Sequence, residues 1–296
     1  MIRMGRRRFI ASAAVFAACA PRARAANPHD ADLVTVGNSL IDQSVDMAHF
    51  FARARGGAGR LSHQTIPGAS MRWNWDNAGT AVVNGRAALA RGEGRIWMGV
   101  ERVPFRAEQG PGAACDVTAW SDWGRLAAGN GVTRALVFEA WHDLRSGQPA
   151  HAAENPWDPD ADVPWRERLD AARPSWAGIA DHLASAGLPG DPEIALVPGG
   201  RMLAVLHDDI RQGAAPEGLE GIGDLFADTI HPDIRGRYAL ACLMYACLYR
   251  RSPEGLPATT ADVWDRPFPP VPPRMAGYFQ KRAWEVARAE PRSGLA

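Results

Sequence analysis

Five short apolar runs, each separated from the next by helical patterning, constrain this chain more than any other feature. They lie at Ala31–Val36, Leu61–Ile66, Arg95–Val100, Ala135–Phe138 and Ile194–Val197. The first, ADLVTV, ends at Gly37 and has the unbroken apolar character of a parallel strand covered on both faces. Behind it, Ile41–Arg55 repeats Ile41, Val45, Ala48, Phe51 and Ala52 at helical spacing, which predicts a helix laid over that strand. Further helical patterns run over Ala81–Arg91, Val117–Ala128, Trp165–Ala186 and Met202–Gln212. Arg237–Tyr249 is apolar almost all round, which predicts a buried helix, and Met275–Ala289 predicts a last one. Strands interleaved with helices imply an α/β fold, a three-layer α/β/α sandwich around a mainly parallel five-stranded sheet. Ligands of such sheets bind at the carboxyl ends of the strands.

Charge narrows the function. The chain of 296 residues holds 33 basic and 33 acidic residues, and its first 25 residues carry six Arg and no acid. The remainder therefore has 27 basic against 33 acidic residues, and this mildly acidic body argues against a nucleic-acid partner. Residues 1–25 read as an export signal: Arg6-Arg7-Arg8, an apolar stretch from Phe9 to Ala20, and the small-x-small site Ala23-Arg24-Ala25. That stretch is too short for a permanent membrane span. The arginine pair followed by Phe9 and Ile10 looks like a twin-arginine signal, so the export machinery is an expected partner; the general secretory route is the alternative. Cys19 makes a poor lipobox, because Phe16 stands where Leu is expected. The expected location is periplasmic or secreted. The expected organisation is 1–25 signal, 26–256 one domain, and 257–296 a Pro-rich extension ending in a helix.

Export leaves Cys115, Cys242 and Cys247, an odd number, so at least one is free. Cys242 and Cys247 are five apart on the predicted helix and, at roughly 100° per residue, point to different faces. Without paired His at metal spacing they imply no zinc site, and their plain reading is as small buried apolar groups. The stretch Ser146–Pro164 has four Pro and no periodicity, so it reads as an excursion loop able to rim a site.

Two segments bring chemistry to the sheet edge. Gly37-Asn38-Ser39-Leu40 lies where the first strand meets the first helix, so the Ser39 hydroxyl stands at the carboxyl edge. Asp228-Thr229-Ile230-His231-Pro232 precedes the buried helix, and a carboxylate three residues ahead of an imidazole can hold one ring nitrogen while the other faces a serine. Each piece alone has a plainer reading, as an N-cap serine or a turn. Together they supply a nucleophile, an orienting acid and a base in the order Ser, Asp, His.

These residues resemble the SGNH/GDSL hydrolase superfamily. Gly37-Asn38-Ser39-Leu40 is one letter from the commonest spelling of its nucleophile block, and Asp228–Gly255 resembles its DxxHP segment and C-terminal helix. The resemblance covers roughly residues 30–256. It implies a flavodoxin-like sandwich, no metal or organic cofactor, and an oxyanion hole made by the Ser39 N–H, the N–H of Gly68 and an asparagine amide. At the asparagine position the chain reads Glu101, in Gly99-Val100-Glu101-Arg102. An ionised carboxylate accepts but cannot donate, and would repel an oxyanion. Glu101 is therefore expected to be protonated in a desolvated pocket, to orient another donor, or to pair with Arg102 or Arg106.

Around this frame, Glu139, Trp141 and His142 follow the fourth strand and are expected to contact substrate. His142 with Asp143 is a rival base pair. Trp73 and Trp75 flank the predicted oxyanion loop, where an exposed indole could stack on a sugar ring. His207-Asp208-Asp209 only loosely resembles a metal cluster. The expectation is an exported serine esterase acting on a small-molecule or polysaccharide ester. Acyl transfer with the same residues is one alternative, and a carbohydrate-binding module that has lost catalysis is the other.

Overall fold

The computed structural model describes residues 27–105 and 117–295. The export signal, Cys19, Arg106 and Cys115 lie outside the described residues.

Five parallel strands form one sheet in the order β2-β1-β3-β4-β5: β1 (Leu33–Gly37), β2 (Leu61–Thr65), β3 (Ile96–Val100), β4 (Arg134–Phe138) and β5 (Glu193–Val197). Every adjacent pair is parallel, with Leu33 opposite Leu61 and Ile96, and Arg134 opposite Ile96 and Glu193. Every residue of the central strands β1 and β3 is buried, which is why their sequences are continuously apolar instead of alternating. The strand order reverses beside β1, so the carboxyl ends of β1 and β3 open the crevice where such sheets hold ligands. This is the three-layer α/β/α sandwich implied by the alternating pattern.

The helices are α1 (Asp42–Ala54), α2 (Met71–Asp76), α3 (Gly85–Ala90), α4 (Val117–Gly129), α5 (Pro149–Glu154), α6 (Trp165–Ser185), α7 (Gly199–Arg211), α8 (Ile234–Tyr249) and α9 (Pro273–Ala289). One layer packs α1 on α8 and α8 on α9, and the other packs α3 on α4 and α4 on α6. Most boundaries lie within a few residues of the periodic pattern, with three informative differences. The helix expected from Ala81 starts only at Gly85, because the Asn84 side chain accepts from Ala87 N–H and caps it there, leaving Val82 fully exposed. α2 escaped the pattern, since six residues are too few to show a period; the Ser70 hydroxyl caps it by accepting from Trp73 N–H. The excursion 146–164 is not wholly irregular, for it contains α5.

The C-terminal segment explains the composition of α8. A helix apolar all round needs cover on every side, and from Tyr238 to Tyr249 each residue of α8 is buried. α9 supplies the outer cover with Met275, Phe279, Ala283 and Val286. Gln280 Nε2 donates to Tyr238 Oη at 2.7 Å and to the Leu256 carbonyl at 2.9 Å. Beyond α9, the Arg292 carbonyl accepts from Leu196 N–H at 2.8 Å, occupying part of the outer edge of β5. Cys242 and Cys247 are both free and buried in α8, and burial pushes the Cys247 thiol up to about 12.

Candidate active site

Ser39 sits in the turn after β1 because its neighbours are tied down. Gly37 leaves no room for a side chain, as a Cβ there would lie 2.1 Å from Val100 Cγ1. The buried Asn38 side chain accepts from Leu40 N–H at 3.1 Å. Its amide donates to the carbonyls of Ala69 at 3.3 Å and Glu101 at 3.4 Å, joining the loops after β1, β2 and β3. Both partners are acceptors, so an amide fits where a carboxylate would meet them acceptor to acceptor. Ser39 Oγ, half-buried, lies 2.9 Å from His231 Nε2.

Asp228 and His231 occupy a turn between Leu225 and α8, closed by an antiparallel bridge between Phe226 and Pro232. Asp228 Oδ1 accepts from the N–H groups of Ile230 at 2.8 Å and His231 at 2.7 Å, while Oδ2 lies 2.8 Å from His231 Nδ1. Partial burial opposes ionisation, but the hydrogen bonds from the His231 and Ile230 backbone and the His231 ring outweigh it and hold the carboxyl down at about 2. An ionised carboxylate only accepts, so Nδ1 carries the proton and Nε2 is left as acceptor for the Ser39 hydroxyl. The structure thus brings together the three residues expected from sequence, in an order of hydrogen bonds suited to proton removal from Ser39.

Gly68 has φ +68°, which a glycine adopts without strain, and a Cβ there would meet nothing within 4 Å. The N–H groups of Ser39 and Gly68 have no acceptor among the described residues. Glu101 is engaged as an acceptor. It is fully buried; Oε1 accepts from Met71 N–H at 3.1 Å and Arg102 N–H at 2.8 Å, and Oε2 from Trp120 Nε1 at 3.0 Å. The carboxylate anchors the start of α2, and with it the loop that bears Gly68. Its tie to Arg102 runs through that residue's backbone.

The segment after β4 departs from expectation. Trp141 is fully buried, with Nε1 donating to the Ile230 carbonyl at 2.8 Å, so it touches the Asp-His turn and not a substrate. Glu139 is also buried and turned toward α7: its carbonyl accepts from Gly200 N–H at 3.0 Å and Oε2 from Arg201 N–H at 3.3 Å. Burial pushes its carboxyl up to about 7. Both side chains are instead engaged by distant segments, Trp141 by the turn before α8 and Glu139 by the start of α7. His142 is buried and lines a cavity of about 360 Å³ with Phe105, Val163 and Arg168. Asp143 pairs with Arg145 and accepts from Thr229 Oγ1 at 2.9 Å, so it does not form the rival couple with His142. These contacts to Thr229 and Ile230 span some 90 residues of chain and left no local signal.

Trp73, on α2 beside the Gly68 loop, is 57% exposed. Trp75 instead packs edge-on against Trp123 at 5.1 Å beneath the Arg86 guanidinium. His207 pairs with Asp208, which Arg166 grips with two nitrogens, leaving a solvated ion-pair face. Among the described residues no cluster of three His, Cys, Asp or Glu could hold a metal ion, and no helix is long and apolar enough to cross a membrane.

No family model matches the chain, and no curated protein matches it. Among solved structures it is similar to a DUF4886 family protein from Bacteroides uniformis, with 14% identity and a TM-score of 0.54 over 87% of this chain and 95% of that one. A second similar structure, from Slackia heliotrinireducens and named "a putative SGNH hydrolase", has 18% identity and a TM-score of 0.42 over 71% of this chain and 95% of that one. At such identities the likeness is one of fold, and the fold is a three-layer α/β/α sandwich on a five-stranded parallel sheet of order 2-1-3-4-5.

Proposed function

We propose that the protein is a serine hydrolase that cleaves carboxylic esters. The observation that carries this reading is the chain of hydrogen bonds from Ser39 Oγ to His231 Nε2 and from His231 Nδ1 to Asp228. Ser39 attacks the ester carbonyl while His231 takes its proton; Asp228 holds the imidazole in the required tautomer. The N–H groups of Ser39 and Gly68 stabilise the tetrahedral oxyanion, and collapse expels the alcohol, protonated by His231. Water, activated by the same imidazole, then hydrolyses the acyl-enzyme. With Glu101 engaged as an acceptor, the oxyanion hole on this reading has two donors.

O-acetyl groups on carbohydrates are the substrate class we favour, because Trp73 stands exposed beside the Gly68 loop and can stack on a sugar ring. Residues 1–25 direct the chain to the periplasm or outside through the twin-arginine route. The test is labelling with a fluorophosphonate probe and mapping of the modified residue, with p-nitrophenyl acetate turnover in parallel. Labelling at Ser39 that disappears in His231→Ala supports the reading. A folded protein that neither labels nor turns over the ester favours the second one, a carbohydrate-binding module on this fold, whose motivating feature is Glu101 at the oxyanion loop.

A further inference from the structure

The side chains of Asp228 and His231 are 55% and 34% exposed, so hydrogen bonds share with packing the task of fixing where the imidazole points. The two hydrogen bonds from Asp228 Oδ1 to Ile230 and His231 N–H close the turn on itself, yet a self-closed turn can still tilt as a unit against Ser39. What ties it to the sheet is the segment leaving β4. Leu144 N–H donates to the Thr229 carbonyl at 2.7 Å, Trp141 Nε1 donates to the Ile230 carbonyl at 2.8 Å, and Thr229 Oγ1 donates to Asp143 Oδ2 at 2.9 Å. Both residues between Asp228 and His231 are thereby gripped from the β4 side. Asp143 is itself a fixed acceptor, because Arg145 engages it through its backbone N–H at 2.8 Å and through its guanidinium at 3.1 and 3.2 Å.

We propose that Thr229, held by Asp143, is a positioning residue: its hydroxyl sets the tilt of the Asp228–His231 turn and so the line along which His231 Nε2 meets Ser39 Oγ. This rests on the hydrolase reading above. Proton transfer depends steeply on that alignment, whereas substrate contact does not pass through Thr229, so the hydroxyl should matter to the chemical step and not to binding.

The experiment uses the full chain with p-nitrophenyl acetate and the fluorophosphonate probe. Thr229→Val keeps the shape and removes the donor; Thr229→Ser keeps the donor. The expected result is a fall of about tenfold in kcat and in the labelling rate of Ser39 for Thr229→Val, with KM changed by less than about twofold and Thr229→Ser close to wild type. Asp143→Ala should cost a similar factor, and the double variant no more than either alone, since both remove one interaction. Wild-type rates in Thr229→Val, a loss confined to KM or to melting temperature, an equal loss in Thr229→Ser, or additive losses in the double variant would each overturn the proposal. A wild-type protein that neither labels nor hydrolyses removes the hydrolase reading itself, and this inference with it.

Discussion

Asp228 uses its two oxygens for two tasks, closing a turn with one and orienting an imidazole with the other. On the hydrolase reading, replacing it with Asn should leave the fold intact and lower kcat by about a thousandfold or more, because the amide no longer enforces the Nδ1–H tautomer. Steady-state ester hydrolysis beside a circular dichroism spectrum checks both halves. On the same reading, Gly68→Ala tests the proposed oxyanion loop. At φ +68° a Cβ costs roughly 1–2 kcal/mol, and any relaxation of that strain turns the N–H away from the oxyanion. The loss should appear in kcat, by about a hundredfold, with KM little moved. At this scale much was legible in the chain. Ser39, Asp228 and His231 are legible because two short motifs occur together in one chain order and resemble a known family, though each alone reads as a cap or a turn. Glu101, Glu139 and Trp141 did not, because what each side chain meets is set by residues far away in sequence. Glu101 stands at the expected edge, but Trp120 and the start of α2 claim its carboxylate.

At the scale of elements, α7 begins against a buried carboxyl. Glu139 accepts from Arg201 N–H there, and burial raises its carboxyl from 4.5 to about 7. The folded group is therefore still protonated where the unfolded one has ionised. Stability from this group is complete below about pH 4.5, is lost as pH rises from there to about 7, and stays reduced above. Glu139→Gln keeps the acceptor without the titration, and should raise stability at pH 8 by roughly 1–3 kcal/mol while leaving it nearly unchanged at pH 4. Urea unfolding at the two pH values decides; a variant less stable at pH 8 would mean that the ionised form is well solvated in the fold. Periodicity located β1 to β5 and the long helices, since each carries a repeated apolar pattern over several turns or a solid apolar run. It passed over α2 and α5, whose six residues each hold less than two turns, and it overran the start of α3, which a single capping asparagine decides.

For the whole molecule, the tail beyond residue 256 tests cooperativity. Fully burying Met275, Phe279 or Val286 contributes about 1.5–3 kcal/mol each, against a total stability of roughly 5–15 kcal/mol for a protein of this kind. A chain ending at residue 256 should therefore expose the outer face of α8, bind a hydrophobic dye and unfold without a sharp transition; a cooperative melt near that of the full chain would show that α9 is dispensable. The chain by itself determined the layered α/β architecture, the parallel sheet and the burial of α8, because apolar periodicity is a property of neighbours along the backbone; the three residues of the hydrogen-bonded site were legible as two short motifs and their resemblance to a family, while their meeting across 192 positions belongs to the tertiary structure. Only the tertiary structure decided that α9 is the cover of α8, that the Glu101 carboxyl holds the start of α2 and Trp120, and that the segment after β4 grips the turn of His231. Those contacts join residues about twenty to ninety positions apart, and their partners are selected by how the layers stack, which no local pattern encodes.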